Sequence, residues 1–125
     1  MATNPPVVAI VDDDDPVRRA LRRLVRSLSY QSADFPSGES FLDSLPDAAP
    51  ACALVDLHMP GLSGLEVLRQ LRARGLGVPV IIISGNAPSD LLDLCLQAGA
   101  AAYLPKPIER AQLDMTIQRV TTQQQ

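Results

Sequence analysis

The sequence is poor in the features that mark several familiar classes of protein. Its only two cysteines, Cys52 and Cys95, form no CxxC pattern and stand in apolar surroundings, so we expect small core residues rather than a metal or redox site. A net charge of −3 gives no basic excess for binding nucleic acid or anionic membrane through the whole domain. The apolar runs are too short to span a membrane, and residues 1–6 lack a signal-peptide pattern. We therefore expect a cytoplasmic chain with no membrane partner.

What the sequence does contain is an alternation of strand and helix patterns sufficient for one domain. Its 125 residues are 46% hydrophobic, enough for a single core. Short apolar runs predict buried strands, and each is followed by an amphipathic stretch that predicts a helix. We predict an α/β fold, a doubly wound five-stranded parallel sheet flanked by five helices, over residues 1–120, with 121–125 as a polar tail or the start of a linker. The predicted strands are 7–11, 29–35, 51–56, 78–84 and 101–104.

Four consecutive aspartates follow the first predicted strand and precede a helix with a basic exterior. Such a cluster is unfavourable unless water, a helix N-terminus or a cation compensates it. Asp14 and Asp15 suit the first turn of the helix, where acidic side chains are favourable. For Asp12 and Asp13 taken alone, a helix cap and a cation site remain alternatives.

Reactive side chains also follow the other predicted strands. Asp56 ends the third strand, Ser84 ends the fourth, and Lys106 comes shortly after the fifth. In a doubly wound sheet, sites form beyond the carboxyl ends of the strands, so we expect these side chains to converge with Asp12 and Asp13. Mg²⁺ takes one or two carboxylates together with water and phosphate oxygens. The convergence therefore favours a magnesium site over a set of unrelated turn residues.

Four segments carry a resemblance to a known family: IVDDDDPVRRAL, LVDLHMPGLSGLEVL, VPVIIISG and QAGAAAYLPKPI. In this order and spacing, they resemble the receiver domain of two-component response regulators over almost the entire chain. The first helix and the segment FPSGESFL are most similar to the subgroup with LuxR-type helix-turn-helix output domains. The resemblance implies a flavodoxin-like receiver fold and the regulatory part of a transcriptional regulator. Any DNA binding would then belong to an output domain absent from these residues.

The resemblance also implies a phosphoacceptor and its metal. Asp56 would be the carboxylate nucleophile that accepts a phosphoryl group from a sensor histidine kinase as an acyl phosphate. Asp13 and Asp56 would ligate Mg²⁺ together with the main-chain carbonyl of His58, and Asp12 would act through a bound water. The cation would neutralise charge on the transferring phosphoryl group.

Three further residues would bind the phosphoryl group and transmit its presence. Lys106 would pair with the carboxylates and then with a phosphoryl oxygen, and the Ser84 hydroxyl would donate to another oxygen. Space opened behind Ser84 would let Tyr103 move inward, which would change the surface of helix four, strand five and helix five. The resemblance also implies a cis peptide bond between Lys106 and Pro107.

The fourth predicted helix carries two apolar stripes. We expect the first stripe to face the core and the second, Leu92 and Leu96, to lie on the surface that changes. With Ala100 and Tyr103, the second stripe predicts a partner face for a phosphorylation-dependent homodimer. The first stripe is Leu91, Leu94, Cys95 and Ala98.

Three other functions remain alternatives. An aspartate-nucleophile phosphohydrolase would also place a DxD pattern after its first strand, as Asp12 and Asp14 do, but such enzymes generally need a longer chain. A receiver used only as a binding scaffold is disfavoured by the intact set of acceptor residues. A free-standing single-domain response regulator is the main alternative to a transcriptional regulator. We expect no enzyme activity beyond self-phosphorylation from small phosphodonors and self-dephosphorylation.

Overall fold

Strand and helix alternate along the whole of the computed structural model, which describes residues 5–45 and 49–122. Residues 123–125 of the predicted tail lie outside the described residues. The strands are β1 (Val7–Val11), β2 (Gln31–Phe35), β3 (Cys52–Asp56), β4 (Val80–Ser84) and β5 (Ala102–Pro105). The helices are α1 (Asp15–Ser27), α2 (Gly38–Ser44), α3 (Gly64–Ala73), α4 (Ser89–Gln97) and α5 (Arg110–Thr122).

The strands form one parallel sheet in the order β2-β1-β3-β4-β5. Strand order therefore reverses at β1 and β3, which lie side by side and end at the same edge. Such a switch point leaves a crevice beyond the strand ends, where α/β proteins bind ligands. The predicted α/β fold is confirmed.

The core lies on both faces of the sheet, since alternate strand residues point to opposite sides. Every residue of β3 and β4 is buried, which explains why these strands read as continuous apolar runs rather than alternating ones. One face packs on α2, α3 and α4, and the other on α1 and α5. Cys52 and Cys95 are buried in these two clusters, as predicted.

Several boundaries differ from the predicted ones. β2 begins at Gln31 rather than at residue 29, because Ser29 has a φ of 71° and ends the turn that follows α1. α5 continues through Thr122, two residues past the predicted end of the domain at 120. The hydroxyls of Thr121 and Thr122 donate to carbonyls of the preceding turn, which satisfies polar groups at the helix end.

A side-chain cap starts α3, whereas one predicted core residue of α4 is exposed. The Ser63 hydroxyl and the Glu66 carboxylate form a capping box at the start of α3. On α4, Leu94 is 43% exposed, against the prediction that it faces the core. Arg72 of α3 donates to the Gln97 carbonyl at 2.8 Å, and Leu94 borders the groove between the two helices instead. No helix within 5–45 and 49–122 combines the length and hydropathy of a membrane span.

Candidate functional site

The three predicted acids converge beyond the carboxyl ends of β1 and β3. Asp12 directly follows β1 and is 0% exposed, Asp13 is exposed, and Asp56 is the buried last residue of β3. One carboxylate oxygen from each lies within 4.8 Å of the others. Because β1 and β3 pair in register, their ends bring these side chains together without any long-range loop.

Lys106 provides a positive charge for this acidic cluster. Its Nζ lies 3.2 Å from Asp12 Oδ2 and 3.4 Å from Asp56 Oδ1. Its main-chain N–H donates to the Ser84 carbonyl at 2.9 Å, and the following peptide bond to Pro107 is cis, as the sequence resemblance implied. Lys106 is the only lysine in the chain.

The electrostatics of the cluster are those of a crowded anionic site. Burial and the nearby Asp12 carboxylate raise the pKa of Asp56, although Lys106 and the main-chain N–H of His58 act in the opposite direction. Burial alone would lower the pKa of Lys106, but Asp12 and Asp56 outweigh it, so that this pKa is raised. Lys106 therefore stays charged, and its ammonium pairs with two of the three clustered carboxylates, Asp12 and Asp56.

Ser84 and Tyr103 lie beside the cluster and touch each other. Ser84 ends β4, is fully buried, and accepts a hydrogen bond from the Asn86 N–H through its hydroxyl at 3.3 Å. The Tyr103 hydroxyl donates to the Ser84 carbonyl, also at 3.3 Å. The two residues predicted to form the switch are thus linked directly through the main chain of Ser84.

The residues of the predicted partner face lie on α4 and at β5. Leu96 is 53% exposed, whereas Leu92, Ala100 and Tyr103 are only partly exposed. The His58 side chain is exposed. The use of the partner face and the metal-binding role of the His58 carbonyl stay predictions.

Arg18 also contacts the site, although its sequence pattern placed it on the basic exterior of α1. The guanidinium reaches back to the acidic run: Nη1 donates to the Asp12 carbonyl at 2.8 Å, and Nη2 pairs with Asp15. Nε donates to Asp34 Oδ2 of β2 at 3.2 Å. The spacing of Asp15 and Arg18 was a detectable signal, since residues three apart on a helix are neighbours.

Gly64 makes close packing possible behind the acidic cluster. A Cβ atom at this position would lie 2.8 Å from the Asp56 carbonyl oxygen and 2.9 Å from Leu57 Cα. The first turn of α3 therefore approaches the end of β3 more closely than any other residue type would allow. This contact fixes the main chain that carries Asp56.

The cluster suits a hard divalent cation. It offers carboxylate oxygens, which are the ligands that Mg²⁺ takes from proteins, and leaves negative charge beyond what Lys106 offsets. Soft ligands do not contribute, since both cysteines are buried in the core. The donor set therefore fits Mg²⁺.

Comparison with known proteins identifies the family. The model of the response regulator receiver domain matches residues 8–118. The chain belongs to this family.

Curated relatives contain the receiver domain as part of a longer protein. Response regulator protein TodT of Pseudomonas putida is 36% identical over 113 residues, which cover 90% of this chain and 50% of TodT. Transcriptional regulatory protein FixJ of Azorhizobium caulinodans is 38% identical over 104 residues, covering 83% of this chain and 49% of FixJ. The receiver domain described here thus spans about half the length of these relatives.

One solved structure is similar to this chain in both fold and sequence. The receiver domain of the sensor histidine kinase PA1611 from Pseudomonas aeruginosa is 30% identical and superposes with a TM-score of 0.85 over 94% of this chain and 98% of that one. That structure has a magnesium ion coordinated in its active-site cleft. The fold of the two receiver domains is therefore the same.

Proposed function

We propose that this receiver domain accepts a phosphoryl group on Asp56 from a sensor histidine kinase, in a reaction that uses Mg²⁺. The observation that carries the proposal is the convergence of Asp12, Asp13 and Lys106 around the buried carboxylate of Asp56. A carboxylate in such a position is not needed for folding, because burial and like charge both disfavour it. A role in phosphoryl transfer explains why the site holds it.

Asp56 acts as the nucleophile. One carboxylate oxygen forms the new O–P bond while the N–P bond to the kinase histidine breaks. The histidine nitrogen keeps the bonding electron pair and, after taking up one proton from solvent, leaves as neutral imidazole. The product is an acyl phosphate on Asp56, and no redox step is involved.

Other residues of the chain bind the phosphoryl oxygens and the metal. Asp13, Asp56 and the His58 carbonyl would hold Mg²⁺, with Asp12 acting through a water, and the ion would supply charge neutralisation at the transferring group. Lys106 contacts both Asp12 and Asp56 in this structure. On phosphorylation, its ammonium exchanges one of these contacts for a phosphoryl oxygen.

The output of this receiver domain is a change at the surface formed by α4, β5 and α5. The Ser84 hydroxyl donates to a phosphoryl oxygen, and its main chain, to which Tyr103 is hydrogen-bonded, moves with it. Tyr103 then turns inward and alters the partner face of Leu92, Leu96 and Ala100. The phosphoryl group shifts a pre-existing equilibrium by its difference in affinity for the two states.

We further propose that the domain is the regulatory part of a transcriptional regulator in the cytoplasm. FixJ, a transcriptional regulatory protein, supports this, as does the span of about half of each relative. DNA binding would then reside in an output domain of the LuxR type. A free-standing response regulator is the alternative, and the reading frame beyond Gln125 distinguishes the two.

The test of the acceptor is phosphorylation by a small phosphodonor such as acetyl phosphate in the presence of Mg²⁺. We expect one phosphoryl group per chain, mapped to Asp56 by mass spectrometry, and none in Asp56→Asn. The exposed Asp43→Asn serves as the matched control and should be modified like the unsubstituted chain. Undiminished modification of Asp56→Asn, or label on Asp12, would contradict the proposal.

The test of the partner face is the mass in solution with and without the phosphoryl mimic beryllofluoride. We expect self-association only with the mimic, and its loss in the double variant Leu92→Ser and Leu96→Ser. Leu94→Ser is the matched control, because Leu94 is an exposed leucine on α4 outside the predicted face. An unchanged mass in both states would refute the proposed dimer.

A further inference from the structure

Arg18 differs from the arginines that follow it on α1. Its side chain is 14% exposed, compared with 35% for Arg22. Three of its nitrogen atoms donate to three separate groups, namely the Asp12 carbonyl, Asp15 and Asp34. A guanidinium can fill all three positions because its donors lie in one fixed plane.

The Asp12 carbonyl that Arg18 contacts belongs to the peptide unit between Asp12 and Asp13, two residues of the predicted metal site. The Asp12 N–H donates to the Phe35 carbonyl at 3.2 Å, and the Asp12 carbonyl accepts from Arg18. Since a peptide unit is planar, holding this carbonyl also fixes the orientation of the Asp13 N–H and Cα. Together with the Asp14 N–H, which donates to Asp12 Oδ1 at 2.9 Å, Arg18 thereby restrains the main chain from which the Asp13 carboxylate projects.

Asp13 depends on this restraint more than the other two acids do. Asp12 and Asp56 are buried and each pairs with Lys106, whereas Asp13 is exposed and has no side-chain hydrogen bond within the part of the chain described. The position of its carboxylate is therefore set by its own main chain. A small rotation of the Asp12–Asp13 peptide would move that oxygen out of the cluster.

The charge of Arg18 acts in the opposite direction. A positive charge near the acids lowers their affinity for a cation, so its removal would raise that affinity. Arg18 is however paired with Asp15 and Asp34, which offset its charge. The two effects oppose each other, and we expect the geometric one to be the larger, because Asp13 is itself one of the proposed ligands.

We propose that Arg18 is a positioning residue of the magnesium site, which holds the Asp12–Asp13 peptide so that the Asp13 carboxylate faces Asp56. This inference rests on the proposed function, in which Asp13 and Asp56 ligate Mg²⁺. Arg18 itself touches neither the metal nor the phosphoryl group. Its effect is on the affinity for Mg²⁺ before any phosphodonor is present.

The experiment is a calorimetric titration of Mg²⁺ into the unsubstituted chain and into Arg18→Met. We expect the dissociation constant to rise about tenfold, as is usual when a group that orients a metal ligand is lost. Arg22→Met is the matched control: it removes the same charge from the same helix and also faces Asp34, at 3.8 Å, but does not contact Asp12. The affinity of Arg22→Met for Mg²⁺ should equal that of the unsubstituted chain or be slightly higher.

Two further variants separate positioning from folding. Arg18→Lys keeps the charge but cannot reach three groups at once, so its dissociation constant should lie between those of the unsubstituted chain and Arg18→Met. Urea denaturation of each variant measures stability separately. A less stable Arg18→Met with an unchanged dissociation constant would show a purely structural role and overturn the inference.

The inference and the proposed function fail in different ways. Absence of Mg²⁺ binding by the unsubstituted chain, or binding that Asp13→Asn leaves intact, would overturn the proposed ligand set and the inference with it. Binding that requires Asp13 but not Arg18, or that tightens when Arg18 is replaced, would overturn the inference alone.

Discussion

Replacing the proposed acceptor Asp56 by asparagine should stabilise the folded chain when Mg²⁺ is absent. The Asp56 oxygen lies no more than 4.8 Å from oxygens of Asp12 and Asp13, and 3.4 Å from Lys106 Nζ. With an effective dielectric constant of about 20, each repulsion amounts to about 3.5 kcal/mol and the attraction to about 5 kcal/mol. The repulsions exceed the attraction by about 2 kcal/mol, and burial of the carboxylate adds to this cost.

We therefore expect Asp56→Asn to raise the free energy of unfolding by about 1–2 kcal/mol at neutral pH, because solvent screens the exposed Asp13. The amide keeps the shape of the side chain, can accept from Lys106 and can donate to Asp12. In a domain of this size the change corresponds to an increase in Tm of roughly 4–8 °C. Urea denaturation monitored by circular dichroism measures it, with the exposed Asp93→Asn as the control for loss of one charge.

The pH dependence of the difference has a definite sign. Because the pKa of Asp56 is raised in the folded chain, the unsubstituted protein regains stability as pH falls through that pKa and the carboxyl group becomes neutral. The advantage of Asp56→Asn should thus be full above the raised pKa of Asp56 and vanish below the ordinary range of aspartate.

Added Mg²⁺ should reduce or reverse the difference in free energy of unfolding between Asp56→Asn and the unsubstituted chain. The reason is that Mg²⁺ binds the unsubstituted site more tightly and so stabilises it more. An Asp56→Asn variant that is no more stable than the unsubstituted chain in Mg²⁺-free buffer at neutral pH would refute the reasoning. That result would mean that Lys106 compensates Asp56 fully.

Three other outcomes follow from particular contacts. Gly64→Ala should lower the free energy of unfolding by about 1–3 kcal/mol, because the added Cβ would meet the Asp56 carbonyl. Gly77→Ala, whose added Cβ has nothing within 4 Å, should not lower it. Equal urea midpoints for the two variants would contradict this. Ser63→Ala should cost about 1 kcal/mol through loss of the α3 cap, and Ser63→Asp should restore most of it in the same measurement. Lys106→Gln should lower the free energy of unfolding at neutral pH. Because the pKa of Lys106 is raised, this loss of stability should persist until pH rises through that pKa. A loss independent of pH in urea titrations would exclude the ion pairs as its cause.

The architecture could be predicted because the central strands are continuous apolar runs in the sequence. VIIIS of β4 is continuous and apolar, as a strand covered on both faces must be. β2 was harder, since QSADF lies at the sheet edge with no fully buried residue, and its true start depends on the left-handed Ser29. Helical periodicity also could not show that Leu94 departs from the inward stripe of α4, because that depends on how α3 packs beside it.

The candidate site could be predicted to the extent that it lies at strand ends. Asp12, Asp56 and Ser84 each directly follow or end a strand, so the parallel sheet alone brings them to one edge. Arg18 could not be found in this way. Its decisive partner is a main-chain carbonyl, which leaves no trace in residue types, and whose direction depends on the loop between β1 and α1.

The single lysine of the chain has a practical consequence for work with this domain. Reagents that acylate amines, such as succinimidyl esters, find among the side chains only Lys106, whose Nζ is within 3.4 Å of two carboxylates of the site. Amine coupling to a sensor chip, a dye or a resin through that side chain would therefore remove the positive charge that pairs with Asp12 and Asp56. Because this ammonium is paired with two carboxylates and its pKa is raised, acylation of Lys106 should be slow at neutral pH, and its rate, measured by mass spectrometry of the peptide that contains Lys106, reports on whatever occupies the crevice.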